Sequence, residues 1–532
     1  MWLDDAKQLA VAMAGGVLAF SVPGCDGEDG DATDQALPDY AEEAQRVIET
    51  FDATGMTAIV MVDGEIVYQD VFGSAEAGTE RPVTIDMLFP IGSISKTFTA
   101  TALAMLVDQG LVDWDAPMTT YIPEFEIYDP WITEQFSLRD AATHRSGLPF
   151  GAGDLLFWPD GEGDVADLIN ALPYFQPTSG FRTDFTYSNL LYIVMGEVVA
   201  RVSGKSWADF VTEEIFEPLD MQSCAADRSR IKSGADVVRG HQFAPGADQG
   251  TPVDERTVLR DWVAPAGGIY CSADDMMKWA QFWFDGGLTS GGERLLSEAQ
   301  IAEQWRGITP LPAGTPFAQR GSTLHTLYGL GWNVQDFKGE PMVSHAGGVA
   351  GVISNLILLP QQKTAIFASI NDERLGAFAW TFQIADGFVG GQDIDHVKIF
   401  GDRAAMMSAM AQSALDNAAT PPEDAAAPTL PLSAYAGDYE DAWYGRVTIT
   451  ADTDGLSIDM SRSELLDAPL THFNGDQFVA AWPERSLNAD AFVTFAVEDG
   501  AVTGFKMKAV SATTDFSYNF HDLNLVRVQA GE

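Results

Sequence analysis

Positive charge is what this sequence lacks most. Its 30 Lys+Arg, only ten of them lysine, face 77 Asp+Glu, a formal balance of -47 at pH 7. A surface so acidic repels phosphate backbones and anionic headgroups, which argues against nucleic acid as a partner and fits a saline or marine setting. Cysteine is nearly absent: Cys25, Cys224 and Cys271 are the three, with no CxxC or Cys/His ligand spacing, so neither a zinc site nor a disulfide framework is indicated. Cys224 and Cys271 could pair, and geometry must decide. The apolar run at residues 9–20 is too short to span a bilayer but has the length of a signal-peptide core. No phosphate loop or nicotinamide motif is present, so no cofactor is called for.

What is present fills several domains. The 532 residues are 46% hydrophobic and 11% aromatic, enough for one large catalytic-sized body and an appendage. After the apolar run, Val22-Pro23-Gly24-Cys25 resembles a bacterial lipoprotein cleavage box, which makes Cys25 a candidate lipid anchor and places the protein outside the cytoplasmic membrane, periplasmic or anchored. Residues 26–45 carry eight acidic side chains and no Lys or Arg. They read as a solvated tether, without the spaced oxygen ligands of a calcium loop. The chain is divided into an export segment and tether at 1–38, a body at 39–400, a Pro/Ala linker at 401–429 and a small β domain at 430–532. That last part alternates apolar and polar residues in short runs (Val447/Ile449, Leu456/Ile458/Met460, Phe505/Met507) between turn signals such as Asn474-Gly475 and Asp499-Gly500. The pattern predicts an antiparallel barrel or sandwich.

Three motifs in the body carry chemistry. Ser93 opens a segment with apolar residues at helical spacing (Phe98, Ala102, Leu103, Leu106), and Lys96 lies one turn on, on the same face. A buried amine beside a serine hydroxyl can take its proton without a histidine. Unpaired N–H groups at a helix start stabilise an oxyanion. Tyr187-Ser188-Asn189 precedes a continuously apolar helix; such a tyrosine can act as acid or base, while the Asn amide can orient lysine and substrate. His345-Ala346-Gly347-Gly348 lies on the first strand of a hairpin, where glycines let a substrate backbone approach and the histidine can donate to a substrate carboxylate or to the tyrosine.

Taken together and in this order, Ser93/Lys96, Tyr187/Asn189 and His345/Gly347 resemble the active site of the serine β-lactamase and penicillin-binding-protein superfamily, in its class C β-lactamase-related branch. The resemblance runs from about residue 40 to 375 and includes Leu138-Arg139-Asp140-Ala141-Ala142-Thr143-His144-Arg145-Ser146-Gly147-Leu148-Pro149. It implies an α/β (α+β) fold, a mainly antiparallel sheet beside a helical cluster. It also implies a serine hydrolase acting through an acyl-enzyme on a small peptide, amide or ester: a peptidase or amidase, with D-residues in view, or else an esterase. A different class, a slowly deacylating penicillin or peptide binder or a scaffold, is the rival. By the same resemblance Ser93 is the nucleophile, Lys96 its base and Tyr187 the proton shuttle. Asn189 orients Lys96 and substrate, and the N–H groups of Ser93 and Gly348 form the oxyanion hole. His345-Ala346-Gly347 stands where class C enzymes usually carry Lys-Thr-Gly, which replaces a fixed cation by an imidazole and counts against efficient β-lactam hydrolysis. His144 is read as pinning a loop, and Phe150, Phe157 and Trp158 as either an acyl pocket or core. The β domain resembles the lipocalin-like appendage of such peptidases, which can lean over the cleft or mediate homo-oligomerisation.

Overall fold

The computed structural model describes residues 39–244, 246–247, 249–311, 325–390 and 394–529. The export segment with Cys25, most of the tether and residues 312–324 lie outside the described residues. The main sheet has strands β1 (Gly55–Val62), β2 (Glu65–Gly73), β3 (Thr309–Pro310), β4 (Thr326–Tyr328), β5 (Asn333–Phe337), β6 (Glu340–Val349), β7 (Val352–Leu359) and β8 (Thr364–Ile370). Their spatial order is β2-β1-β8-β7-β6-β5-β4-β3, and every neighbouring pair is antiparallel.

Successive side chains on a strand point to opposite faces, and here both faces are covered. Met56, Ala58 and Val60 of β1 join one core while Ile59 and Met61 join the other; on β8, Ile366, Ala368 and Ile370 part from Ala365 and Phe367 in the same way. That is why these strands read as unbroken apolar runs. One face is capped by helices α1 (Tyr40–Phe51), α4 (Gly376–Phe388) and α5 (His396–Ala419). The other meets the helical cluster that contains α2 (Ser95–Asp108) and α3 (Asn189–Ser203). Every residue of α2 from Ser95 to Leu106 is buried, so this helix runs through the interior and carries its polar groups into low dielectric.

The stretch 401–419, read above as linker, is helical in the structure. Asp395 caps α5 by accepting the Lys398 N–H, and beyond Gly401 the residues are strong helix formers, mostly Ala and Met, with no proline before Pro421. Composition alone cannot tell an alanine-rich helix from an alanine-rich spacer.

Beyond it, strands β9 (Gly437–Asp441), β10 (Gly445–Ala451), β11 (Leu456–Met460), β12 (Asp467–Asn474), β13 (Gln477–Ala480), β14 (Ala491–Glu498), β15 (Ala501–Ala509) and β16 (Leu525–Arg527) form a closed barrel. Closure comes from β9 pairing with β16, Tyr439 opposite Arg527, which leaves no free edge. The interior is packed with rings: Phe495 lies 5.0 Å from Tyr435, 5.7 Å from Phe478 and 5.2 Å from Phe505. Body and barrel share one continuous apolar core. Cys224 and Cys271 form a disulfide, and Cys271 pairs with Phe89 in a two-stranded ladder just before Ser93.

Candidate active site

Ser93 sits in a single 3-10 turn, Gly92–Ile94, that feeds α2. Gly92 is left-handed at φ 52°, a conformation that favours glycine, and its backbone packs directly on β6. A side chain at Gly347 would place its Cβ 1.9 Å from the Ile91 carbonyl oxygen and 2.7 Å from the Ser93 nitrogen. Glycines at 92 and 347 therefore let the nucleophile's turn touch the strand of His345 backbone to backbone.

Lys96 is wholly buried. Its Nζ lies 2.9 Å from Ser93 Oγ, 2.8 Å from Asn189 Oδ1 and 2.6 Å from the Ala266 carbonyl oxygen. Burial lowers its pKa to about 7; an ionised Asp154 would pull it the other way. A neutral amine has two N–H bonds and one lone pair, and both the Ala266 carbonyl and Asn189 Oδ1 can only accept. They consume the two donors, so the lone pair is left facing the Ser93 hydroxyl. An amine so placed can take a proton from Oγ.

Tyr187 is also buried. Its hydroxyl is hydrogen-bonded to Ser93, and Lys96 Nζ lies 4.8 Å from its ring centroid. Burial raises the phenol above its usual range, so at neutral pH it keeps its proton. His144 holds the turn that presents it. The His144 carbonyl accepts the Thr186 N–H at 2.7 Å, its Nδ1 accepts the Ser188 N–H at 3.1 Å, and its ring lies 4.3 Å from that of Tyr187. Burial keeps this imidazole neutral. The geometry is that of a residue pinning a loop.

Asn189 begins α3. Its Oδ1 faces Lys96, and its Nδ2 donates to Asp154 Oδ2 at 2.8 Å; sequence reasoning expects that amide to orient substrate, and here it is engaged with a buried carboxyl. His345 brings its Nε2 2.9 Å from the Tyr328 hydroxyl and its Nδ1 2.7 Å from the Ala346 carbonyl oxygen. The carbonyl can only accept, so Nδ1 carries the hydrogen and Nε2 accepts from Tyr328. Burial, with Lys96 nearby, lowers this imidazole to about 3, so it presents no positive charge near neutrality. Gly347 and Gly348 continue β6 opposite Ser354 and Ile353 of β7.

Asp154 and Phe516 escape sequence reasoning, and Tyr328, which opens the family-like run Tyr328-Gly329-Leu330-Gly331-Trp332, has no role readable there. Asp154 is fully buried on a short 3-10 turn, Asp154–Leu156. Tyr328 belongs to β4, and Phe516 comes from the loop 510–524 of the barrel. Phe516 lies 4.8 Å from the Phe150 ring and 5.9 Å from that of Tyr187, and with Phe185, Tyr328 and Leu311 these make an aromatic wall beside the nucleophile. Phe150 thus lines the site, while Phe157 turns to Trp262 in the core, 6.1 Å away. A lone Phe or Asp in a loop carries no spacing signal; only the assembled fold gives these residues a shared place. Among the described residues, no group of three or more His, Cys, Asp or Glu is placed to hold a metal ion.

Comparison with known proteins gives the same outline. The family model described as Beta-lactamase matches residues 44–385, and one described as a Domain of unknown function (DUF3471) matches residues 421–527. The unguisins hydrolase ungD' of Aspergillus campestris is 28% identical over 443 residues, covering 80% of this chain and 79% of its own. Penicillin-binding protein 4 of Amycolatopsis lactamdurans is 28% identical over 322 residues, 59% of this chain and 81% of its own. Among solved structures, the octameric penicillin-binding protein homologue from Pyrococcus abyssi superposes with a TM-score of 0.57 at 17% identity, over 92% of this chain and 99% of that one. This likeness is one of fold.

Proposed function

We propose, since this chain belongs to the Beta-lactamase family and is a serine hydrolase, that it cleaves amide bonds in small peptides through an acyl-enzyme on Ser93. The observation that carries the reading is the Lys96 amine, its two N–H bonds spent on carbonyl oxygens and its lone pair turned to Ser93 Oγ at 2.9 Å. In this reading Ser93 Oγ bonds to the substrate carbonyl carbon while its proton passes to Lys96 Nζ. The oxyanion rests on the N–H groups of Ser93 and Gly348. The C–N bond then breaks, and the proton reaches the departing amine through the Tyr187 hydroxyl. Water reverses the path: it adds to the acyl carbon, gives its proton to the same Lys96/Tyr187 pair, and releases the acid with Ser93 restored.

A neutral His345 offers no cation to a β-lactam carboxylate, so efficient β-lactam hydrolysis is no part of this function. The aromatic wall suits an apolar side chain beside the scissile bond, and D-residues stay in view by the family resemblance. The setting is outside the cytoplasmic membrane, with Cys25 as the anchor; none of the described helices is long and apolar enough to cross a membrane. The barrel is the lipocalin-like appendage, and homo-oligomerisation through it is tested by mass in solution.

Initial rates on one acyl group presented as ester and as amide, each in L and D form, test the reading against Ser93→Ala. Amide turnover that vanishes in the variant is the expected result. Ester turnover alone would move the assignment to an esterase, and a stable acyl adduct without turnover to a binder.

A further inference from the structure

Asp154 ties the Ser93/Lys96/Asn189 group to a distant part of the chain. Its Oδ2 accepts from Asn189 Nδ2 at 2.8 Å and from Ser517 Oγ at 3.0 Å, while its Oδ1 is buried without a partner. Ser517 belongs to the loop 510–524, between β15 and β16 of the barrel. That loop is fixed at two neighbouring points: Phe516 packs on Phe150 and Tyr187, and Asn519 Oδ1 accepts the Leu155 N–H at 3.3 Å. The carboxyl is held from the other side as well, since the Asp154 N–H donates to the Gly151 carbonyl at 3.0 Å and the Gly151 N–H to the Tyr187 carbonyl at 3.0 Å.

We propose that Asp154 and Ser517 are positioning residues of the lysine base, so that the C-terminal barrel is a working part of the catalytic site. The argument turns on the two ends of an amide. Asn189 could turn by 180° at almost no steric cost, since its oxygen and nitrogen are nearly the same size. Turned, it would aim an N–H at Lys96 and occupy the lone pair that Ser93 needs. The acceptor oxygen at Asp154 opposes this turn: Asn189 Oδ1 would then meet Oδ2, oxygen against oxygen, as long as the carboxyl proton stays on Oδ1, where the Ser517 hydrogen bond to Oδ2 keeps it. Ser517 in turn donates to that same oxygen and fixes the carboxyl's rotamer. The groups facing Asp154 are therefore Asn189, Ser517, Asp515 and, at longer range, Lys96. Burial raises Asp154 to about 8, against the pull of the two hydrogen bonds. It holds its proton near neutrality, on the unpartnered Oδ1, and acts through Oδ2 as a neutral acceptor.

The proposal rests on the serine hydrolase reading, and the test separates the two. Full-length wild type, Ser93→Ala, Asp154→Ala, Asp154→Asn and Ser517→Ala are compared for kcat, KM and the pH profile of kcat/KM on p-nitrophenyl acetate. Asp154→Ala is expected to lower kcat by about tenfold or more with little change in KM, and Ser517→Ala by about threefold. In both, the rising limb moves to lower pH while the plateau falls, because a turned Asn189 amide donates to the amine and disfavours the ammonium form. Asp154→Asn, which can offer the same acceptor oxygen, restores most of the rate. A merely structural loss would lower the plateau and leave the limb where it was; that result, or wild-type profiles in both alanine variants, overturns the proposal while an inactive Ser93→Ala leaves the hydrolase reading standing. Full activity in Ser93→Ala overturns both. Should Asp154→Ala fail to fold, Ser517→Ala, the loss of one half-buried hydroxyl, carries the same expectation.

Discussion

A buried lysine whose donors are taken up by two carbonyl oxygens is useful in one state only, the neutral amine. With the Lys96 pKa lowered to about 7, the reactive fraction grows as pH rises through that value, so kcat/KM should climb through an apparent pKa near 7. At pH 5 the neutral amine is scarcer by about a hundredfold, and the rate should fall in proportion. A flat profile from pH 5 to 8 would remove the lysine from the role of base. Lys96→Ala and Tyr187→Phe should each lower turnover by roughly a hundredfold or more with the fold intact by circular dichroism. Gly347→Ala is a test of another kind. Its Cβ would fall 1.9 Å from the Ile91 carbonyl oxygen, so β6 and the Ser93 turn must separate, and activity should be lost together with several degrees of melting temperature.

Between elements, the site depends on how a buried helix, a strand and two loops meet. The parts written locally were readable in the sequence. Ser93 and Lys96 share a helix face through i, i+3 spacing, and His345 through Gly348 lie on a strand that a hairpin pattern announces. Asp154 and Asn189 are 35 residues apart, Tyr328 and His345 17 apart, and no spacing rule joins such pairs; tertiary packing alone brings them together. For the same reason alternation could not choose between barrel and sandwich, since the pairing of β9 with β16 is a contact of the chain's distant parts. His144 shows how an element-level role is tested. Its alanine variant keeps the backbone bond to Thr186 but frees the Ser188 N–H at the Tyr187 turn, and an unmade buried hydrogen bond should cost about 1–3 kcal/mol. A lower melting point and a reduced kcat are expected in His144→Ala, with KM moving less.

Across the whole molecule, charge and covalent linkage set the conditions under which this site survives. A net charge of -47 loads the compact state with self-repulsion that salt screens, so the melting temperature should rise between low ionic strength and 1 M NaCl. No rise would mean that the acidic residues lie too far apart to oppose folding. The disulfide links Cys224 to Cys271 across 47 residues, and closing a loop of that size restricts the unfolded chain by about 4 kcal/mol. Cys224→Ser should therefore melt well below the wild type in the absence of reductant, and the two should converge when reductant is added.

The contact between Asp154 and Ser517 spans 363 residues of chain. A ribosome moving at 5–20 residues per second needs roughly 20 to 70 seconds to cover that distance. When this interval begins the nucleophile and the lysine are already made, and during it the tyrosine and the glycine strand follow, while the Ser517 hydroxyl has yet to be synthesised. The order of synthesis thus puts the last contact of Asp154 at the end of the chain, so that the full hydrogen-bond set of the site exists only once the barrel is complete.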